Sequence, residues 1–386
     1  MTEQTMQHGY LVLADISGYT SYLAGVELDH AHEILSDLLE TIVGSLKALL
    51  IISKLEGDAV FGYVPEARVN RGETLFELVE ATYAAFLDRQ ATVRRHTTCD
   101  CNACRAIPSL DLKFITHYGS YIVQTISGIH ELVGSDVNLV HRLLKNHIAD
   151  STGWHAYALF TVPALAHLAV PYDPGSLHSQ SETYEHLGVI ETASLDLHAR
   201  YQALTAARHV VISPPEAQVT KVFEIAAPPA VVWDWATDPQ RRSQWMHGTT
   251  WKAGARPGGR TSAGARNHCA HGKNGQTLET VLDWKPFEYF TAQQAPNATN
   301  ASVFTCRFER LAGGAATRLS VNLVVRTNGS SAGPVNWLVA KLLFDYFGHG
   351  KDWEHLARVA AEDYARQAKD LTPPAPLPLT GRGEKS

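Results

Sequence analysis

Two aspartates stand where carboxylates can share a cation. Asp15 ends an apolar run at residues 10–15 (YLVLAD), and Asp58 lies in Glu56-Gly57-Asp58, a turn signature inside IISKLEGDAVFGYV. At the ends of adjacent strands, two carboxylates hold Mg²⁺, which keeps water or phosphate oxygens as its other ligands. Asn138 and Arg142 are four apart, so they share one face of a helix. A guanidinium beside a phosphate stabilises the charge that develops in phosphoryl transfer. Taken singly, each residue also has an ordinary structural role open to it: Asp15 as a helix cap, Asp58 as a turn residue.

A second group has metal-ligand character. His96, Cys99, Cys101 and Cys104 place four donors within nine residues, and three thiolates with an imidazole are a tetrahedral Zn²⁺ set. The spacing is tighter than in zinc fingers, so a reduced cysteine cluster or an iron–sulfur ligand set lent to a partner stands beside the zinc reading. The position of the group, between a helix and a strand starting near Leu110, predicts a loop clip rather than catalysis. The other two cysteines, Cys269 and Cys306, stand alone. An odd, clustered set without a secretion signal argues for metal or free thiols over a disulfide framework. His117 is expected to be packed within its strand, and His268, Cys269 and His271 to lie in a loop or strand edge.

The elements that must carry these side chains are legible in outline. The apolar positions of residues 28–50 recur with helical spacing, and residues 51–64 form two strands about the turn. Residues 74–94 are helical. Strands follow at 110–117 and 121–127, then a helix at about 136–147, with weaker strands near 157–161 and 189–201. The adjacent prolines of VISPPEAQ mark a linker. Beyond it come a strand at 219–225, a short helix at 230–236, several strands between 249 and 326, and a long helix from Val335 to about Ala368. The tail TPPAPLPLTGRGEKS has a disordered composition. No internal repeat is found. A chain of 386 residues exceeds what one core usually serves, so two domains are expected. With 45% hydrophobic and 19% charged residues it is globular, and a net charge of −6 argues against a general nucleic-acid or anionic-membrane surface. No apolar stretch is long enough to span a bilayer and no signal peptide is seen, so a cytoplasmic protein is expected.

Four segments, ADISGYT (14–20), KLEGDAVF (54–61), THYG (116–119) and ELVGSDVNLVHRL (131–143), together resemble the catalytic domain of class III adenylyl/guanylyl cyclases. The resemblance runs over residues 9–204. It implies a ferredoxin-like α+β fold with Asp15, Ile16 and Asp58 as ligands of Mg²⁺ or Mn²⁺. It implies Lys54 and Glu131 as the pair that reads the base, and Asn138 and Arg142 as the residues that orient ribose and stabilise the transition state. It also implies a head-to-tail homodimer, with metal and base-reading lysine from one subunit and asparagine and arginine from the other. A lysine donor and a carboxylate acceptor complement the adenine edge and suit guanine poorly, which points to ATP. Two departures stand out: HLGVIETASLDLHARY (186–201) lacks the lysine that usually holds the terminal phosphates, and His141 replaces the small residue usual before the arginine.

Residues 219–245 (VTKVFEIAAPPAVVWDWATDPQRRSQW) resemble the opening of START-like (SRPBCC) polyketide cyclase/dehydrase and lipid-transport domains, through Trp233, Trp235, Asp238, Pro239 and Trp245. That resemblance implies a helix-grip fold over 219–368, after a linker at 205–218 and before a tail at 369–386, enclosing an apolar cavity. Trp251, Phe304, Trp337 and Phe344 are candidates to face it. The combined expectation is an ATP-directed cyclase forming cyclic AMP and pyrophosphate, tuned by a hydrophobic small molecule. Its rivals are a catalytically silent nucleotide-binding signalling module, and a hydrophobic-ligand binding protein that uses its cyclase-like half to dimerise. Neither nucleic acid nor membrane insertion is expected as a partner.

Overall fold

The computed structural model describes residues 6–96, 101–126, 129–172, 174–206, 209–271, 275–295, 300–327, 334–342 and 349–370. In the N-terminal half the order is β1 (Gln7–Ser17), α1 (Tyr19–Ala24), α2 (Leu28–Leu46), β2 (Ile51–Glu56), β3 (Ala59–Pro65), α3 (Glu73–His96), α4 (Asn102–Ala106), β4 (Asp111–Ile126), β5 (Ile129–Val133), α5 (Ser135–Leu143), α6 (Ile148–Thr152), β6 (Tyr157–Thr161), α7 (Val162–Leu168), β7 (His178–Tyr184), β8 (Gly188–Asp196) and α8 (Leu197–Ala206). The C-terminal half continues with β9 (Val219–Ile225), α9 (Pro229–Thr237), α10 (Pro239–Trp245), β10 (Thr249–Ala253), β11 (Arg266–His271), β12 (Gly275–Lys285), β13 (Tyr289–Gln294), β14 (Asn300–Leu311), β15 (Ala316–Thr327), α11 (Pro334–Lys341) and α12 (His349–Asp370).

The first sheet runs β2-β3-β1-β4-β6-β8-β7, with β5 paired to β4. Within it β1 lies antiparallel to both β3 and β4. Because successive side chains alternate faces, Tyr10, Val12 and Ala14 join one core and Leu11 and Leu13 the other. The first core takes the stripe Ile34, Leu35, Leu38 and Ile42 of α2, and the second takes Val137, Val140 and Leu143 of α5. The turn after β2 needs a left-handed residue, and Gly57 supplies it at φ 65°.

The second sheet is antiparallel throughout, in the order β10-β11-β12-β13-β14-β15-β9. α12 packs on β9 and α9 and buries Trp353, Leu356 and Ala360. The architecture is α+β, a mixed sheet followed by a large antiparallel sheet gripped by a C-terminal helix.

Two expectations need correction, and a third is only partly covered by the described residues. The strands at 110–117 and 121–127 are one strand, β4, because Gly119 does not turn the chain. It pairs with Gly9 and leaves room for Asp136, whose carboxylate lies 2.5 Å from where a Cβ would stand. The strand at 189–201 ends at Asp196, whose carboxylate accepts the Ala199 amide at 3.0 Å and opens α8. The closing helix is described in two pieces, α11 on β15 and α12 on β9, and residues 343–348 between them, Phe344 included, lie outside the described residues.

Candidate functional site

β1 and the β2–β3 turn bring Asp15 and Asp58 together. Asp15 sits opposite Ala59 in the ladder, one residue from Asp58, and the Ile16 amide donates to the Asp58 carbonyl at 3.4 Å. Burial, and then the neighbouring Asp15 charge, push the Asp58 carboxyl up to about 6. Two partly buried carboxylates that repel one another suit a divalent ion, which removes the repulsion. β4 adds a residue that sequence reasoning missed. Lys113 stands opposite Asp15 in register, and its ammonium lies 3.1 Å from the Asp15 carboxylate. The alternation of charged and apolar residues in LDLKFI, with Asp111 and Lys113 two apart, was the available clue.

Lys54 on β2 and Glu131 on β5 meet as expected, Nζ to Oε1 at 3.6 Å. A second carboxylate, Glu56, is closer at 2.7 Å and also takes His141 Nδ1 at 3.1 Å. Hydrogen bonding to Glu56 holds the Lys54 ammonium above its usual range, whereas burial lowers His141 against the pull of Glu56. Glu56 was legible, since residues two apart on a strand share a face. The His141 ring lies 4.8 Å from that of Phe61, at the position where the departure from the cyclase pattern falls.

α5 turns Val137, Val140 and Leu143 inward, so Asn138 and Arg142 are exposed on its outer face. Among the described residues neither side chain makes a hydrogen bond or ion pair. His117 is packed, its Nδ1 2.8 Å from the Thr161 hydroxyl.

Of the cysteine group, the described part comes together: Cys101 and Cys104 lie side by side, and the imidazole of His30 on α2 joins them, with Nδ1 3.3 Å from the Cys101 sulfur. Cys99 and the side chain of His96 lie outside the described residues. Nothing local in the sequence links His30 to a cysteine 71 positions away. On β11, Cys269 is buried and flanking His268 is exposed, so they point to opposite faces.

In the C-terminal half a cavity of about 290 Å³ is lined by Met246, Phe304, Leu323, Val325 and Trp353, with Arg242 as its charged member. Arg242 is fully buried, forks onto Glu279 at 2.5 and 3.0 Å, and covers the Trp251 ring at 3.8 Å. Its Nε has no partner among the described residues. Phe304 therefore lines the cavity as expected, while Trp251 supports the guanidinium. Trp337 is 48% exposed, with the Lys341 ammonium over its ring.

Residues 216–361 match the family described as polyketide cyclase / dehydrase and lipid transport, and residues 35–152 match a family described as a protein of unknown function, DUF2652. The N-terminal half is similar to solved class III adenylyl and guanylyl cyclase domains. A bacterial light-regulated adenylyl cyclase aligns at 13% identity over 53% of this chain and 58% of its own, with a TM-score of 0.40. The adenylyl cyclase CyaB from P. aeruginosa aligns at 14% identity over 50% of this chain and 95% of its own, with a TM-score of 0.33. An uncharacterized protein of Mycobacterium tuberculosis is 32% identical over 114 residues, which is 30% of this chain. The match spans about half, 52%, of that curated relative. No helix among the described residues is long and apolar enough to cross a membrane.

Proposed function

We propose that the chain divides near residues 205–218 into a nucleotide-cyclase unit, which takes ATP and forms cyclic AMP and pyrophosphate as a homodimer, and a unit that binds an apolar small molecule and tunes that activity. The observation that carries the reading is the joint placement, on one sheet, of a carboxylate pair, Asp15 on β1 and Asp58 in the β2–β3 turn, and a base-reading pair, Lys54 on β2 and Glu131 on β5. Asp15, Asp58 and the main chain of Ile16 would hold Mg²⁺ or Mn²⁺. Such an ion supplies Lewis-acid polarisation of the α-phosphate and lowers the cost of ionising the ribose 3′-hydroxyl.

The protein's own residues divide the remaining work. The Lys54 ammonium donates to adenine N1 and the Glu131 carboxylate accepts from N6. For this, Lys54 must exchange its bond to Glu56 for one to the base. Asn138 positions the ribose and Arg142 neutralises charge on the phosphate as the 3′-oxygen attacks phosphorus. The new 3′ O–P bond forms, the bond to the leaving pyrophosphate breaks, and the hydroxyl proton passes to water. An outward-facing Asn138 and Arg142 serve a site completed by a second chain, since a two-fold interface presents the same patches twice.

The Lys113–Asp15 ion pair favours a second reading, a module that binds the nucleotide without turnover, because an ammonium on Asp15 competes with a cation there. One experiment separates the two. Purified protein is incubated with Mn²⁺ or Mg²⁺ and each nucleoside triphosphate, and cyclic product and pyrophosphate are measured. Cyclic AMP from ATP, lost in Asp58→Ala, establishes the first reading. ATP binding with no product establishes the second, and no nucleotide binding overturns both.

A further inference from the structure

We propose that His30, Cys101 and Cys104 form a binding site for a thiophilic divalent ion, Zn²⁺ by the chemistry of its donors, that ties the start of α2 to the α4 turn. The site shares no residue with the nucleotide site, so it stands or falls independently of the function proposed above. The three donor atoms all lie within 4.8 Å of one another, and the His30–Cys101 separation is 3.3 Å. Tetrahedral zinc, with bonds of about 2.3 Å to sulfur and about 2.0 Å to nitrogen, needs donors about 3.5–3.8 Å apart. The cluster therefore reaches coordination geometry with shifts of about 1 Å or less.

Its surroundings are built to hold that arrangement. The Glu27 carboxylate, one turn before His30, accepts from Asn102 Nδ2 and from the Ala103 amide, both at 3.1 Å. The Tyr22 hydroxyl donates to the Ala103 carbonyl at 3.1 Å. These bonds fix the Cys101-x-x-Cys104 turn against the α1–α2 segment from outside the donor set, as outer partners orient metal ligands. Within the turn the Cys104 amide donates to the Cys101 sulfur at 3.4 Å, which holds the two cysteines on one side of the turn. Cys104 is buried, Cys101 partly so, and His30 is exposed. Two thiolates and an imidazole select zinc over Mg²⁺ or Ca²⁺, which prefer oxygen.

The full-length protein, stripped with a chelator under reducing conditions, is titrated with Zn²⁺ against a chromophoric competitor. One ion per chain is expected. Cys101→Ser with Cys104→Ser removes it, and His30→Ala weakens binding by about tenfold or more. His30→Cys, loaded with Co²⁺, keeps the ion and gains one further thiolate's share of charge-transfer absorption, which a residue that merely packs nearby does not produce. Stripped protein that is folded and binds no zinc overturns the proposal. So does zinc affinity that ignores His30→Ala, or a Co²⁺ spectrum unchanged in His30→Cys.

Discussion

Asp58 shows how a single side chain is compromised by its setting. Its carboxyl titrates near 6 in the fold, against 3.8 for the free group. A raised acid pKa means the unfolded chain ionises first, so folding stability falls as pH rises from about 4 to about 6 and stays lowered above that. In chelator, Asp58→Asn should therefore stabilise the protein at pH 7.5 by about 1–2 kcal/mol, the full shift discounted for partial exposure. The gain should vanish below pH 4, where the aspartate is already neutral. Denaturant melts at the two pH values check this, and an equal effect at both would refute the electrostatic cause. A divalent ion should reverse the preference, stabilising wild type and not the variant.

The elements were legible where period and punctuation agree. β1 and α2 follow from an apolar run and a helical stripe, and the turn follows from Glu-Gly-Asp. The sequence reading split β4 in two around residues 118–120, where Gly119 is in fact a vacancy for Asp136 within one continuous strand. That carboxylate accepts the Ser120 amide at 2.7 Å and hydroxyl at 3.0 Å, which ties the start of α5 to β4 and so sets where Asn138 and Arg142 point. Gly119→Ala should displace it and cost about 1–3 kcal/mol in a thermal or denaturant melt. Cyclase activity, where present, should fall further than stability does. Of the candidate site, Asp15, Asp58, Lys54, Glu131, Asn138 and Arg142 were legible because they sit in short local motifs. Lys113 and His30 were not, since each meets its partner only through strand register or helix packing that no local spacing encodes.

At the scale of the whole molecule, the two sheets are joined by a shared interior. One apolar core runs from α2 and α3 to Trp233, Phe290 and Phe308 of the C-terminal half. At its seam Arg71 binds Glu73 at 2.7 Å, Glu77 at 2.6 Å and Asp234 at 3.4 Å. Burial pushes the Glu77 carboxyl up to about 7 although Arg71 opposes it, while Arg71, despite its own burial, is held above its usual range by Glu77, Asp234 and Glu73. Glu77→Ala should destabilise the protein by about 2–5 kcal/mol, because two buried indole donors lose their acceptor. Calorimetry should then show one transition for the wild type and two for the variant. A further prediction concerns assembly. If each cleft takes its carboxylate pair from one chain and Asn138 and Arg142 from the other, mixing inactive Asp58→Ala and Arg142→Ala proteins should restore part of the activity, because one cleft of the heterodimer is intact. A dead mixture with demonstrated subunit exchange would rule out the shared site.

The same seam gives the protein an optical gauge. Trp233 and Trp284, both from the C-terminal half, donate their indole N–H groups to the two oxygens of Glu77 at 3.0 and 3.1 Å, with their rings 4.6 Å apart. An indole's emission follows the field and hydrogen bonding at its nitrogen, so both chromophores read the carboxylate of a helix in the other half. Filling the apolar cavity or the proposed nucleotide site strains this junction only if the two ends of the molecule communicate through it. Intrinsic fluorescence, with Glu77→Gln to mute the response, thus registers traffic between the halves without any label.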